Sequence, residues 1–249
     1  MPMLDIVDLE KRYGGVVAVR NVNMAVEEGE RVGLIGANGA GKTTLFAVIA
    51  GNQNPTNGTI TFDGERIDGH RPDQVSRRGI ARTFQIVRPF GELSVVENLA
   101  VGAMFGARQE PSMEQAEARA REILDDVGLA DRAGDFASEL TLAGRKRLEV
   151  ARALATEPKL LMLDEVLAGL TPAEVNDAVL MIRELQEKYK LTVIMVEHVL
   201  RAVMQLCQRI VVLHHGEKIS EGTPEHVSND PAVIEAYLGT AKLIEDADK

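Results

Sequence analysis

The chain has 249 residues, a net charge of −10, 45% hydrophobic and 27% charged residues, and no tryptophan. That length suits one α/β unit with a large buried core, and the acidic balance argues against a general nucleic-acid binder, which needs a basic face to neutralise phosphates. The single cysteine, Cys207, rules out an internal disulfide and reads as a packed thiol.

Apolar runs such as Leu160 to Leu163 fall far short of the roughly 18 to 20 residues that span a bilayer. The start, Met1-Pro-Met-Leu-Asp-Ile6, lacks the basic flank and long apolar segment of a secretory signal. With a single cysteine and no internal disulfide, the expected compartment is the cytoplasm.

Met3 to Leu9 alternates apolar and acidic residues like a half-buried strand, and Val16 to Val26 continues with β-branched residues up to the Glu27-Glu28-Gly29 turn. An antiparallel β start follows from the pair. Tyr13 adjoins Gly14-Gly15, where backbone can approach a ligand; its ring is either a nucleobase-stacking face or an ordinary rim aromatic.

Gly36 to Thr43 reads Gly-Ala-Asn-Gly-Ala-Gly-Lys-Thr and meets the pattern Gly-x4-Gly-Lys-Ser/Thr at every specified position. The apolar strand Arg31 to Ile35 precedes it, and a helix over Lys42 to Ala50 follows, closed by Gly51. Glycines 36, 39 and 41 let successive backbone N–H groups turn inward around a phosphate at a helix N-terminus. In that pattern Lys42 reaches the β- and γ-phosphates of a bound nucleotide, and the Thr43 hydroxyl takes a place on Mg²⁺. The binding set is Gly36, Ala37, Asn38, Gly39, Ala40, Gly41, Lys42, Thr43 and Thr44.

A turn at Asn54 to Gly58 leads to a strand over Thr59 to Phe62, a short helix over Pro72 to Arg78 and a strand over Ile80 to Phe84. The arginines at 66, 71, 77, 78, 82 and 88 cluster in sequence, as either a solvated face or a partner contact. From about Val95 to Ala155 the texture is helical, in three segments: Val95 to Met104, Ser112 to Val127 and Ala143 to Ala155. Lys159 to Leu163 is a fully apolar strand ending in Asp164-Glu165, at the edge where an open parallel sheet places its ligands. There Asp164 would hold Mg²⁺ directly or through water, and Glu165 would orient or deprotonate an attacking water. Thr171-Pro-Ala-Glu174 is a capping box opening a helix whose stripe is Val175, Val179, Ile182 and Leu185. Strands at Leu191 to Val196 and Arg209 to Leu213 follow, then two short helices opened by Thr223-Pro and Asp230-Pro. His70, His214, His215 and His226 form no zinc-ligand spacing.

With these motifs in this order, the chain from Tyr13 to about Leu238 resembles the ATP-binding cassette of ABC transporters. The resemblance implies an α/β P-loop NTPase core with an N-terminal antiparallel β-subdomain and a helical subdomain insert. All of 1–249 would be one domain, with 1–90 and 156–249 as β-subdomain plus nucleotide-binding core and 91–155 as the helical signature subdomain. It makes Tyr13 the adenine-stacking aromatic, Gln85 the glutamine that links metal to the helical subdomain, and His198 the histidine that senses the γ-phosphate. Catalysis is thereby assigned to Glu165, His198 and Gln85, and the metal to Thr43, Gln85 and Asp164. Where the family usually has Leu-Ser-Gly-Gly-Gln, this chain has Leu140-Thr141-Leu142-Ala143-Gly144. Thr141 keeps the hydroxyl, Ala143 replaces the second glycine and Gly144 the glutamine, in the segment that closes on ATP held by the opposite subunit.

Ile80 to Gln85, Val95 to Leu99, Ala168 to Glu174 and Pro231 to Gly239 further resemble the ATPase subunits of branched-chain amino acid importers. That likeness implies a peripheral protein on the cytoplasmic face of the cell membrane, with transmembrane permease subunits, a second ATPase subunit (a copy or a paralogue), an external solute-binding protein acting indirectly, and no nucleic acid. Two other readings are a soluble ABC ATPase outside transport and a degenerate cassette that binds ATP with little hydrolysis.

Overall fold

The computed structural model describes residues 1–84 and 89–237. The chain folds as two compact units, Met1–Arg71 with the segment from Cys207 onward, and Pro72–Leu206.

The first unit opens with an antiparallel pair, β1 (Leu4–Tyr13) and β2 (Val16–Val26), joined by a tight turn at Gly14-Gly15. Leu4, Ile6 and Leu9 on β1 and Val19, Val22, Met24 and Val26 on β2 are buried. The period of two of a sheet with one wet face holds within each run and slips by one residue at two bulges, where Asp8 (φ 50°) and Asn21 (φ 46°) are left-handed. Next come β3 (Arg31–Ile35), α1 (Lys42–Ile49), β4 (Asn57–Phe62) and the short β5 (Glu65–Arg66). β4 pairs antiparallel with β1, giving the order β2-β1-β4-β5.

The second unit holds α2 (Pro72–Arg77), β6 (Ile80–Arg82), α3 (Val95–Phe105), α4 (Met113–Asp126), α5 (Leu142–Ala155), β7 (Leu160–Asp164), α6 (Pro172–Tyr189), β8 (Thr192–Val196) and α7 (Leu200–Leu206). β6, β7 and β8 run parallel, and every residue of β7 and β8 is buried. A strand covered on both faces must be apolar throughout, which is why Leu160 to Leu163 reads as an unbroken run. The three expected helical segments match α3, α4 and α5 to within two residues. Their starts are set by hydroxyl caps: Ser94 and Glu97 make a reciprocal capping box, as do Thr171 and Glu174 on α6, while Ser112 accepts only from the Gln115 N–H.

The chain then returns to the first unit with β9 (Arg209–His214), parallel to β3, β10 (Glu217–Gly222), antiparallel to β9, and α8 (Pro224–Asn229). β10 has no counterpart among the strands expected from sequence. Its Glu-Lys-Ile-Ser-Glu-Gly is polar and only Ser220 is buried, so it forms through pairing with β9 rather than through its own apolar periodicity. Arg209 fastens this corner, donating to Glu30 at 2.6 and 2.7 Å, to the Ala25 carbonyl and to Glu221. Cys207 is packed as expected, and burial pushes its thiol up to about 12. Among the described residues no helix is long and apolar enough to cross a membrane.

Candidate nucleotide-hydrolysis site

The phosphate loop belongs to the first unit, between β3 and α1. Gly36 has φ 154° and Gly41 φ 103°, and both are hemmed in by backbone. A Cβ at Gly36 would stand 2.2 Å from the Leu213 carbonyl oxygen, and one at Gly41 would stand 2.4 Å from that of Ala18. Only glycine satisfies both demands. Gly41 is also the N-cap of α1 and supplies no side-chain cap, so the first N–H groups of the helix are left for another acceptor. Lys42 is 5% exposed, and its Nζ donates to the carbonyls of Gly36 at 2.7 Å and Ala37 at 3.1 Å, which keeps the charge inside the loop. Ala37 and Thr44 are half-buried, Ala40 is buried, and Asn38, Gly39 and Thr43 are exposed at the open side. In the same unit Tyr13 is 45% exposed at the tip of the β1–β2 hairpin, with Lys11 Nζ 5.0 Å from its ring centroid.

The acidic cluster belongs to the second unit. Asp164, the last residue of β7, is 1% exposed; its N–H donates to Thr83 Oγ1 at 2.9 Å and its Oδ2 accepts from Arg82 at 2.7 Å. Its Oδ1 is buried and finds no partner among the described residues. A buried carboxylate oxygen without a donor is costly to fold, and a hard cation or its bound water is the kind of partner that offsets the cost. The chemistry of this oxygen therefore fits Mg²⁺. Glu165 adopts φ 51°, a left-handed conformation unusual for a residue with a side chain, and its N–H donates to the Val196 carbonyl at 2.8 Å. Its Oε1 lies 3.0 Å from Nε2 of the half-exposed His198. When Nε2 carries the proton, His198 donates to the carboxylate.

Thr141, Ala143 and Gly144 form the first turn of α5. Thr141 is its N-cap, accepting the Gly144 N–H at 3.2 Å, and Ala143 lies within the helix, outside the positive-φ residues. Gln85 and Arg88 lie outside the described residues. The remaining arginines of the sequence cluster do not share one role: Arg66 pairs with Asp68, Arg77 with Asp73, and Arg82 with Asp164.

Three further residues beside these motifs carry no mark in the sequence. Buried Glu149 of α5 accepts the Phe84 N–H at 2.5 Å, and burial raises its carboxyl pKa. Buried Lys146 donates from Nζ to the Glu165 carbonyl at 2.8 Å. Glu197 accepts the Leu167 N–H at 2.8 Å and has its pKa pushed up to about 7, mainly by burial, with the Glu165 charge adding to it. In sequence each is an ordinary charged residue; only its neighbourhood to a motif distinguishes it.

A family model described as ABC transporter matches residues 19–168. The chain belongs to that family. A second model, described as branched-chain amino acid ATP-binding cassette transporter, matches residues 217–242 of this cassette. Over 252 aligned residues the cassette is 40% identical to the high-affinity branched-chain amino acid transport ATP-binding protein BraF of Pseudomonas aeruginosa, covering 96% of this chain and 99% of the relative. Among solved structures it is similar to the ADP conformation of MJ1267, an ATP-binding cassette of an ABC transporter, with TM-score 0.88, 31% identity, and 96% and 99% of the two chains covered. The dimeric bacterial ABC transporter cassette MJ0796 is similar at TM-score 0.81 and 27% identity, over 89% of this chain and 99% of that one.

Proposed function

We propose that this cassette is the ATP-hydrolysing, energy-coupling subunit of a membrane importer for branched-chain or related amino acids. The observation that carries the hydrolytic reading is the assembly at two adjacent strand ends: Asp164 with an oxygen to spare, and Glu165 held by His198. The likeness to BraF supports the choice of solute.

In this reading the loop N–H groups and Lys42 hold the β- and γ-phosphates, and Tyr13 stacks on the adenine. Thr43, Asp164 and Gln85 would hold Mg²⁺, which when bound offsets the charge of the phosphate oxygens. Glu165 takes a proton from the attacking water as its oxygen bonds to the γ-phosphorus and the bond to the β,γ-bridging oxygen breaks, leaving ADP and inorganic phosphate. His198 fixes the direction of the Glu165 carboxylate. Thr141, Gly144 and the first N–H groups of α5 offer a positive helix end to the γ-phosphate held by a second cassette, a copy or a paralogue.

Coupling needs a dock for the permease. Of the six phenylalanines, Phe84, Phe90, Phe105 and Phe136 are exposed, all in the Pro72–Leu206 unit. Phe90 is held out by Asn98, whose buried amide accepts its N–H at 2.9 Å and donates to its carbonyl at 3.0 Å. A rigid exposed aromatic suits an interface better than a solvent face. The cassette would sit on the cytoplasmic face beneath the permease, while an external binding protein delivers the solute.

The test is co-expression with the membrane proteins that co-purify with it, reconstitution in vesicles, and measurement of ATP-driven uptake of labelled leucine, isoleucine and valine. Uptake that needs ATP inside and stops with Lys42→Ala supports the reading. ATP hydrolysis without uptake of any amino acid would contradict the solute assignment.

A further inference from the structure

We propose that Lys146 is a positioning residue for hydrolysis: its buried ammonium holds the Glu165 carbonyl, and with Glu197 it keeps the catalytic carboxylate's backbone in the left-handed conformation that aims it at His198. This rests on the reading of Glu165 as the base. Three observations of the second unit carry it. Glu165 has φ 51°, which L residues leave unless the surroundings hold them. Its carbonyl accepts from Lys146 Nζ at 2.8 Å, while another donor to that oxygen, the Ala168 N–H, stands off at 3.3 Å. Two residues on, the Leu167 N–H is fixed by Glu197 Oε1 at 2.8 Å.

The turn after β7 is thus gripped from two sides by buried side chains, Lys146 at 6% and Glu197 at 2% exposure. A cleft lined by Ala143, Val150, Leu167, Leu170 and Met181 lies beside the turn between α5 and α6. Lys146 lies two residues beyond Gly144 on α5. The helix whose first turn is offered to the partner's nucleotide is therefore tied to the main chain of this subunit's own base. A shift of α5 on closure reaches Glu165 through one hydrogen bond.

The test measures single-turnover hydrolysis of Mg-ATP by the purified full chain, with nucleotide affinity measured separately. Lys146→Met keeps the stem and removes the ammonium; it should lower the hydrolysis rate roughly ten- to a hundredfold, the scale of a misplaced reacting group. ATP affinity should stay within about twofold, since the phosphate loop is untouched, and Lys146→Arg should restore most of the rate. A Lys146→Met enzyme at the wild-type rate, or a loss shared equally between rate and affinity, would overturn the proposal. If removing the buried ammonium unfolds the chain, the double variant Lys146→Met with Glu197→Gln leaves neither an ammonium nor a carboxylate to be buried uncompensated beside the turn. A slow but ATP-binding double variant supports positioning; a fast one overturns it. Glu165→Gln run in parallel separates the two readings. Full hydrolysis there means that Glu165 is not the base, whereas loss there with none in Lys146→Met means that only the positioning claim fails.

Discussion

Glu165 Oε1 and His198 Nε2 lie 3.0 Å apart, joining the residue after β7 to the second residue after β8. Asp164 and Val196 are register partners on those parallel strands, and the Glu165 N–H donates to the Val196 carbonyl, so backbone and side chain fix the carboxylate to the same strand end. His198→Ala removes the side-chain half of that hold. Hydrolysis is expected to fall roughly 10- to 100-fold with ATP affinity little changed; an unaltered rate would show that the pair has no catalytic weight.

Lys42→Ala should abolish measurable ATP binding, since it removes the charge that the loop carbonyls of Gly36 and Ala37 hold in place. Nucleotide titration by fluorescence or calorimetry checks this, and wild-type affinity would remove the phosphate loop from the account.

Much of this site is legible in the residues themselves. The loop from Gly36 to Thr43 is legible because phosphate geometry forces glycine at fixed spacing, and β7 because burial on both faces forces an apolar run. Lys146 and Glu197 are not legible, since a charged residue is ordinarily solvated and nothing local marks these two as buried. The left-handed backbone of Glu165 leaves no trace in a side-chain sequence. β10 escapes sequence reasoning because its partner strand, not its own pattern, makes it a strand.

Ala143 stands where the family usually carries glycine, and it sits inside α5 with an ordinary helical backbone. Ala143→Gly should therefore alter ATP-driven dimerisation only slightly and cost no more than about 1 kcal/mol of stability. A large gain in ATPase rate would mark the native alanine as a weakening of the site. Thr141→Ala, which removes the cap on the Gly144 N–H, should cost about 1 kcal/mol in thermal unfolding.

Glu197 makes stability depend on pH. Its folded pKa of about 7 lies above the ordinary 4.5, so between these values the folded chain binds more protons than the unfolded one. The protonated form's stability is fully present below about 4.5 and is lost as pH rises through about 7. Glu197→Gln removes this slope, so its stability relative to wild type should rise between pH 5 and pH 8, by about 3 kcal/mol at most. Denaturant melts at the two pH values check the sign; parallel curves would contradict it.

The most direct test of the central claim is ATP turnover by Glu165→Gln. The amide keeps the shape and part of the hydrogen bonding but cannot take the proton, so hydrolysis should fall by roughly 10² to 10⁴ while ATP still binds. With Mg-ATP the variant should run on gel filtration as a closed dimer, alone or with a paralogue, while the wild type resets to monomer. Hydrolysis by Glu165→Gln at the wild-type rate would contradict the assignment of Glu165 as the base.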